Sequence, residues 1–421
     1  MTIHFDKQAV LEALRGLLQI KSVNANAGEI TPEAPLGIGI NAAINYVLDL
    51  ASSFGLTTKN CDGYCGYVEI GEGQEMVAAI THVDTVEVGD DWTVPPFDLT
   101  IDGDRIYGRG VLDDKGLTII SLYALKALKD AKVPINKRIR LIIGGDEEGG
   151  SWACMKRYKE TEETPVYAFS PDSGFPVIFA EKGIMNVIFE KELDAGLPLL
   201  NLSSGKQINS VPDYGRAVFG GQTYEAKGKS AHASDPQKGD NALIKLAGEL
   251  RAEGIQHPML ELLDRATPEG FGINLSDAVS GDLTLNPAIA YVDENKAVLR
   301  CDIRYPVTIN SSDISEAIQK ATEDLGFSLK MDHETLPLHV DQESFLVTSL
   351  QKVYADYTGD SSGPIVSGGG TYARAFDNAV AFGGVLPGEE NTGHQTDEFW
   401  SIDSMAKNFD MIVKALEVLA Q

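Results

Sequence analysis

The chain has 421 residues, of which 43% are hydrophobic and 23% charged, a composition typical of a globular protein with two or three folded units rather than a disordered one. Its 35 Lys and Arg against 62 Asp and Glu give a formal net charge of −27. Such a field repels phosphate backbones and anionic lipid surfaces, so we expect neither nucleic acid nor a membrane as a partner.

The first part of the chain, residues 1–184, alternates helices with short apolar strands. Its opening amphipathic helix carries charges between the apolar positions, unlike a signal peptide, and no run of about 18 apolar residues follows. The four scattered cysteines fit a reducing compartment, so the protein is expected to be soluble and cytoplasmic. Strands apolar throughout are typical of a buried, partly parallel sheet. The predicted elements are helices over 38–55 and 117–128 and strands over 67–70, 76–80, 139–143 and 167–169.

The texture changes over residues 185–335 and returns to the earlier kind over residues 336–421. The middle part predicts strands at 186–189, 216–219, 281–285 and 297–303 with helices at 241–252 and 314–325, as in a small α+β, ferredoxin-like domain. The last part predicts helices at 344–357 and 405–419 around a strand at 379–382. The predicted fold class is therefore α/β, a catalytic domain with a mixed sheet in two sequence segments, and an inserted α+β lid domain.

Acidic and histidine clusters follow the predicted buried strands or precede a predicted helix. Side chains at the carboxyl ends of strands gather at the edge where open α/β sheets bind ligands. Each cluster alone has an ordinary reading, as a polar residue, a solvated loop or acids at a helix N-terminus. Their recurrence favours one shared site. The clusters are His82-Val83-Asp84, Asp113-Asp114, Asp146-Glu147-Glu148, Ser170-Pro171-Asp172 and His394.

These carboxylates repel one another and cannot be buried together without a cation. Two histidines and three carboxylates, one of them shared, form the ligand set of a dinuclear zinc-like centre, with an additional Glu left to activate water. The histidines weaken the alternative of an all-oxygen Mg or Ca site.

The motifs in this order resemble a known family of metallopeptidases. It includes aminoacylase, carboxypeptidase G, succinyl-diaminopimelate desuccinylase, carnosinase and bacterial dipeptidase V, of which the last is the most similar. The resemblance extends over nearly the whole chain. The motifs that carry it are THVDTV, YGRGVLDDKG, GGDEEGG, SPDSGF, GKSAHAS, SGGGTYAR and the closing His394.

The resemblance implies five metal ligands. His82 and Asp172 would hold one ion, Glu148 and His394 would hold the other, and Asp113 would bridge the two. The expected cofactor is therefore a pair of divalent ions, zinc first, with Mn or Co as alternatives.

The resemblance also implies three further roles at the site. Asp84 would orient His82 from behind, and Glu147 would be the general base that takes the proton of a metal-bridging water and passes it to the leaving amine. His232, in the lid, would stabilise the tetrahedral oxyanion. Without the resemblance, His232 reads as a surface-turn residue.

Two arginines are candidates for binding a substrate carboxylate through a bidentate fork. They are Arg304 and Arg374, and either could instead form a structural ion pair in so acidic a protein. Asn286 is a further substrate-binding candidate in the lid.

The expected activity is hydrolysis of the amide bond of small Xaa-amino acid peptides. In the family that the chain resembles, an Asp at the position of Asp172 accompanies dipeptidases and aminopeptidases. The alternatives are an N-acyl amino acid or succinyl-amine hydrolase, a carboxypeptidase on the same metals, and a metal-binding carrier without catalysis. The lid segment looks shorter than in typical dipeptidase V proteins, so both a monomer and a homodimer are expected possibilities.

Overall fold

A computed structural model of the protein describes residues 3–24, 28–194, 197 and 199–421. The chain divides into two compact units. The first comprises Met1–Phe179, Val340–Ile365 and Thr371–Gln421, and the second comprises Ala180–His339 and Val366–Gly370. The sequence prediction places the corresponding boundaries after residues 184 and 335.

Both units contain helices and strands. The α-helices are α1 (Lys7–Leu18), α2 (Ile38–Ser53), α3 (Lys115–Asp130), α4 (Ala153–Thr161), α5 (Ala242–Ala252), α6 (Pro258–Arg265), α7 (Ser311–Thr322), α8 (Phe345–Thr358) and α9 (Ile402–Leu419). Short 3₁₀ helices cover Pro236–Lys238, Glu323–Leu325 and Tyr372–Ala375. The strands are β1 (Thr57–Cys61), β2 (Cys65–Ile70), β3 (Met76–His82), β4 (Thr100–Asp102), β5 (Arg105–Tyr107), β6 (Arg138–Gly144), β7 (Tyr167–Ser170), β8 (Ser173–Gly174), β9 (Ile178–Glu181), β10 (Gly183–Glu192), β11 (Leu200–Ser204), β12 (Tyr214–Phe219), β13 (Gln222–Lys227), β14 (Ser276–Asp277), β15 (Gly281–Asp282), β16 (Thr284–Val292), β17 (Lys296–Tyr305), β18 (Ser328–Thr335), β19 (Leu338–His339), β20 (Ile365–Ser367), β21 (Ala379–Ala381), β22 (Gly384–Val385) and β23 (Phe399–Ser401).

The first unit is built on a mixed sheet with the strand order β1-β2-β6-β3-β7-β21-β9. Strand β3 is parallel to β6 and β7, and β21 is parallel to β7, whereas β1, β2 and β9 pair antiparallel. All seven residues of β3 are buried, which agrees with the apolar run over its first five residues. The parallel centre of the sheet brings several strand ends to one edge, where the polar clusters follow.

Helices of the first unit bury wide apolar faces. Helix α3 packs against α1 and α9, and most of its residues are buried. Side-chain caps define where helices start: Asp6 accepts from the N–H of Ala9 before α1, and Ser401 accepts from the N–H of Ser404 before α9.

The second unit is an antiparallel sheet with the strand order β13-β12-β11-β16-β17-β10-β18. Helices α5, α6 and α7 pack on this sheet and share one hydrophobic core with it. The helices contribute Leu246, Leu263 and Ile318, and the strands contribute Phe189 and Leu299. Alternation of buried and exposed residues, as in β11, is typical of a sheet with one covered face.

The predicted fold class is confirmed: a mixed-sheet α/β unit is formed from separate sequence segments, and an α+β unit is inserted between them. A small three-stranded sheet of β4, β5 and β23 is an addition that the sequence did not predict. Its strands are short and partly exposed, so they lack a strong periodic signal. In the described part of the chain, no helix has the length and apolarity needed to cross a bilayer.

Candidate metal centre

The carboxyl ends of the central strands lie at one edge of the first unit's sheet. In the parallel pair β3 and β6, His82 is opposite Gly144, so the two segments that follow begin side by side. In the parallel pair β7 and β21, Ser170 is opposite Ala381. The strand pairing therefore brings the polar clusters that follow β3, β6 and β7 to the same edge.

Five side chains form two overlapping groups that share one carboxylate. The ligand atoms of His82, Asp113 and Asp172 all lie within 4.8 Å of one another, and the same holds for those of Asp113, Glu148 and His394. Nε2 of His82 lies 3.1 Å from Oδ1 of Asp113, while Nε2 of His394 lies 3.1 Å from Oδ2 of the same residue. The two oxygens of Asp113 thus face different groups.

The donor set fits a pair of divalent ions of the zinc type. His82 is 1% exposed, and its buried Nε2 faces carboxylate oxygens of Asp113, at 3.1 Å, and Asp172, at 3.4 Å, as expected of atoms that could share a cation. Its Nδ1 lies 3.0 Å from the backbone oxygen of Asp84 and 3.4 Å from a carboxylate oxygen of the same residue. A histidine held at one ring nitrogen presents the other in a fixed direction.

Asp84 connects the two strand-end segments. It is fully buried, and its carboxylate accepts hydrogen bonds from the backbone N–H groups of Glu147, at 3.2 Å, and Glu148, at 2.9 Å. Asn24 donates a third hydrogen bond at 3.0 Å. These contacts fix the backbone of the acidic segment relative to His82.

Burial and like charge both act on the carboxyl groups of the acidic segment. Burial, together with the charges of Glu148, Asp172 and Asp113, raises the pKa of Glu147 well above its ordinary value, although His82 opposes this. Burial and Asp113 raise the pKa of Glu148 to about 7. This mutual repulsion is what bound divalent cations would relieve.

The two histidines respond in the opposite direction. Burial lowers the pKa of His394, but the contacts with Asp113 and Glu148 outweigh it and raise the pKa to about 11. Burial also lowers the pKa of His82, but the contacts with Asp113 and Asp172 outweigh it and raise the pKa well above its usual value. The cluster thus favours positive charge at its centre, which agrees with a cation-binding role.

Two buried residues that received no role from the sequence, Asp114 and Tyr372, contact residues of the site. Asp114 is fully buried and accepts from the backbone N–H of His82 at 2.8 Å, and burial raises its pKa. The hydroxyl of Tyr372 accepts from the N–H of Asp146 at 3.1 Å, and its ring packs edge-on to His82 with centroids 6.0 Å apart. The only sequence signal for Tyr372 was its position within the motif that also contains Arg374.

The remaining predicted site residues lie in both units. Arg374 belongs to the first unit, half-buried in the 3₁₀ helix Tyr372–Ala375. His232 belongs to the second unit, where it is exposed and its Nδ1 lies 2.7 Å from the hydroxyl of Ser234. Asn286 is buried in the second unit and donates to the backbone oxygen of Ser210 at 2.9 Å. Their roles toward a substrate stay predictions.

Arg304, in the second unit, has its guanidinium engaged within the protein. Nε and Nη2 donate to the two carboxylate oxygens of Asp302, at 2.6 and 2.9 Å, and Nη1 donates to the backbone oxygen of Gly368. Both side chains are buried. This arrangement agrees with the structural ion pair that the sequence left open beside carboxylate binding.

Comparison with known protein families and sequences gives one consistent result. The profile of peptidase family M20/M25/M40 matches residues 78–418. A Bacillus subtilis (strain 168) protein named "Putative dipeptidase YtjP" is 35% identical over 460 aligned residues, which cover 99% of this chain and 98% of that protein. A Staphylococcus epidermidis protein named "Putative dipeptidase" is 32% identical over 455 residues, covering 97% of each.

Solved structures share the fold at low sequence identity. Human carnosine dipeptidase 1 has a TM-score of 0.66 at 13% identity and covers 99% of this chain and 96% of its own. The M20 family metallo-carboxypeptidase Sso-CP2 from Sulfolobus solfataricus has a TM-score of 0.65 at 18% identity, covering 99% of each chain. At these identities the likeness concerns the fold alone.

Proposed function

Because the chain belongs to peptidase family M20/M25/M40, we propose that it is a metal-dependent dipeptidase that hydrolyses the amide bond of small Xaa-amino acid peptides. The family resemblance read from the sequence is confirmed by the profile match. The observation that carries the proposal is the pair of ligand groups sharing Asp113, together with the carboxyl group of Glu147, which interacts electrostatically with Asp113 and Asp172. Hydrolysis needs both an electrophile and a base.

Two divalent ions, zinc first and Mn or Co next, are the proposed cofactors. His82 and Asp172 would hold one ion, Glu148 and His394 the other, and Asp113 would contact both. When bound, the ions supply positive charge that polarises the peptide carbonyl and lowers the pKa of water. The overlapping ligand groups support this assignment, as does the buried Nε2 of His82, which faces the carboxylates of Asp113 and Asp172.

Glu147 is the proposed general base. Its backbone is fixed by Asp84, and burial raises the pKa of its carboxyl, which brings a proton acceptor closer to the operating pH. In this proposal the carboxylate removes a proton from the attacking water and then returns it to the leaving amine. The neighbouring Glu148 serves as a ligand instead, since its Oε1 lies 2.8 Å from Nε2 of His394.

The residues around this centre are proposed to orient the groups that react. Asp84 lies 3.4 Å from Nδ1 of His82 and leaves Nε2 as the nitrogen that would bind an ion. His232 is proposed to stabilise the oxyanion of the tetrahedral intermediate, a role that requires a donor aimed at the developing charge.

For the substrate carboxylate, Arg374 and Arg304 both stay proposed contacts. The fork of Arg304 is already paired with Asp302 at both ends, so a second carboxylate would have to displace a buried partner. Asn286 remains a proposed substrate contact of the second unit. The free α-amino group of a dipeptide is a cation, so the excess of carboxylates in this protein favours binding of a free dipeptide over an N-acyl amino acid, whose acyl group is neutral.

Hydrolysis of free and blocked substrates tests this function. Protein reloaded with Zn or Mn would be assayed on Ala-Ala, Leu-Gly and β-Ala-His beside N-acetyl amino acids, with a chelated control. We expect chelator-sensitive cleavage of the free dipeptides. Faster cleavage of the N-acetyl amino acids would replace the dipeptidase with a deacylase on the same metals.

The cellular setting is part of the proposal. We propose a cytoplasmic enzyme that works as a monomer or a homodimer. Dipeptides arise where larger peptides are degraded, and the four free, buried cysteines agree with a reducing compartment.

A further inference from the structure

Glu398 is a fully buried carboxylate that binds the segment leading to Asp113. Its Oε1 accepts from the backbone N–H groups of Leu112, at 2.9 Å, and Asp113, at 3.1 Å. Its Oε2 accepts from the N–H of Gly110, at 3.0 Å, and from Nη1 of Arg109, at 2.8 Å. Four donors from one short segment therefore converge on one side chain.

The same loop that carries Glu398 also carries His394. Residues 392–399 form a loop closed at its base, where the hydroxyl of Thr392 donates to the backbone oxygen of Phe399 at 2.6 Å and accepts from its N–H. Phe399 begins strand β23 and pairs with Tyr107 of β5, which precedes the Asp113 segment. Glu398 thus connects the loop that carries His394 to the segment 109–113 that carries Asp113.

We propose that Glu398 is a positioning residue that sets the separation of the Asp113 carboxylate and the His394 imidazole, and thereby the geometry in which the shared ligand contacts the metal ions. The inference rests on the proposed function. The contacts that support the inference do not depend on any substrate. Glu398, four residues beyond His394, accepts from the backbone N–H of Asp113, and Nε2 of His394 lies 3.1 Å from Oδ2 of Asp113. Outer partners of this kind commonly affect metal affinity or activity by about 10- to 100-fold.

A purely structural role is the competing explanation, because Arg109 and Glu398 form a buried ion pair, 2% and 0% exposed. A matched control is available in the same unit. Glu69 accepts from Arg140 and Arg138 on strands β2 and β6, and it belongs to neither candidate ligand group. Loss of the charge of Glu69 removes a largely buried ion pair, 3% exposed at Arg140 and 15% at Glu69, without changing a contact of the Asp113 segment.

The test compares Glu398→Gln, Glu398→Asp and Glu69→Gln in the full-length protein. The amide of Gln places an NH₂ group against two donors at one end of the side chain, whereas Asp keeps the charge but is too short to reach all four. Metal-free proteins would be titrated with Zn²⁺ by calorimetry, and the visible absorption of the Co²⁺-loaded forms would report the ligand geometry. Thermal unfolding would confirm that each variant is folded.

We expect Glu398→Gln to weaken Zn²⁺ binding by about 10- to 100-fold and to alter the Co²⁺ spectrum. Glu398→Asp should recover part of the Zn²⁺ affinity and part of the wild-type Co²⁺ spectrum. Glu69→Gln should lower the melting temperature and leave metal binding as in the wild type. Wild-type affinity and spectrum in folded Glu398→Gln, or equal losses in Glu69→Gln, would overturn the proposal. Should Glu398→Gln fail to fold, Glu398→Asp decides by the same criterion.

The titration also separates this inference from the dipeptidase proposal. Wild-type protein that binds two ions and cleaves no dipeptide would refute the proposed activity and leave the role of Glu398 intact. Wild-type protein that binds no divalent ion would refute both.

Discussion

The carboxylate of Asp84 accepts a hydrogen bond from the backbone N–H of Glu148 at 2.9 Å, and this contact joins the ends of two parallel strands. The same carboxylate lies 3.4 Å from Nδ1 of His82. One buried side chain therefore fixes both an imidazole and the acidic segment, which belong to different candidate ligand groups. Preorganisation of this kind spares the site from rearranging when cations bind.

Asp84→Asn should weaken metal binding and kcat/KM, each by about 10- to 100-fold. The amide retains one acceptor oxygen and turns an NH₂ group toward backbone donors that Asp84 now satisfies. Zinc titration and steady-state kinetics would measure the loss. Asp98→Asn is the control, since Asp98 also accepts several hydrogen bonds, from Arg15, Gln19 and its neighbour Leu99, but beside α1. Wild-type metal binding by Asp84→Asn would contradict the orienting role.

Glu147→Gln should retain two metal ions while kcat falls by about 10²- to 10⁴-fold, because the shape is preserved and the proton acceptor is lost. Glu148→Gln should instead lose metal affinity, since that side chain belongs to a ligand group. Metal analysis of the purified variants beside dipeptide hydrolysis distinguishes the two effects. Unchanged turnover in Glu147→Gln would exclude it as the base.

The strands and their polar ends could be predicted because both signals are local. Residues 76–80 are an apolar run of strand length, residues 139–143 are apolar apart from Arg140, and both runs are buried in the structure. The acids and histidines directly after such runs must lie at the sheet edge, whatever the rest of the fold. This local signal applies to His82, Glu148 and Asp172, whereas the full set of five ligands, with Asp113 and His394, was implied by the resemblance to a known family.

Supporting contacts could not be predicted, because they depend on loops that fold back over long sequence separations. Nothing in the local sequence of Glu398 distinguishes it from exposed acids, yet it is fully buried against the segment of Asp113. Tyr372 likewise reaches Asp146 only through the packing of separate segments.

Tyr372→Phe should lower the free energy of unfolding by about 1–3 kcal/mol, because the N–H of Asp146 loses its acceptor in a buried place. The ring contact with His82 is kept, so turnover should fall by less than about tenfold. Tyr158→Phe is the control, since the hydroxyl of Tyr158 accepts from Arg140 and donates to Glu163. Denaturant unfolding and dipeptide kinetics would be compared. A Tyr372→Phe variant with the unfolding free energy of the wild type would contradict the prediction.

His257 should make the protein less stable in acid. Burial, and then the charge of Lys191, lowers the pKa of His257 to about 4, against about 6.5 in an unfolded chain. Between these values the unfolded state binds a proton that the folded state does not, so stability is lost as the pH falls from about 6.5 to about 4, by at most ~3 kcal/mol.

The measurement for His257 is the difference in unfolding free energy between wild type and His257→Asn at several pH values. Asn keeps an acceptor for the N–H of Met259 at the start of α6 and removes the titration. The unfolding free energy of the wild type should fall relative to that of His257→Asn as the pH is lowered from about 6.5 to about 4. A difference independent of pH would show that His257 does not contribute.

The proposed dinuclear, metal-dependent activity is best examined by titrating the metal-free protein with Zn²⁺ or Mn²⁺ while bound metal and Ala-Ala hydrolysis are followed in the same samples. We predict no turnover without metal, two ions bound per chain at saturation, and activity that rises with occupancy. Full hydrolysis in the presence of excess chelator, with no metal bound, would contradict this prediction.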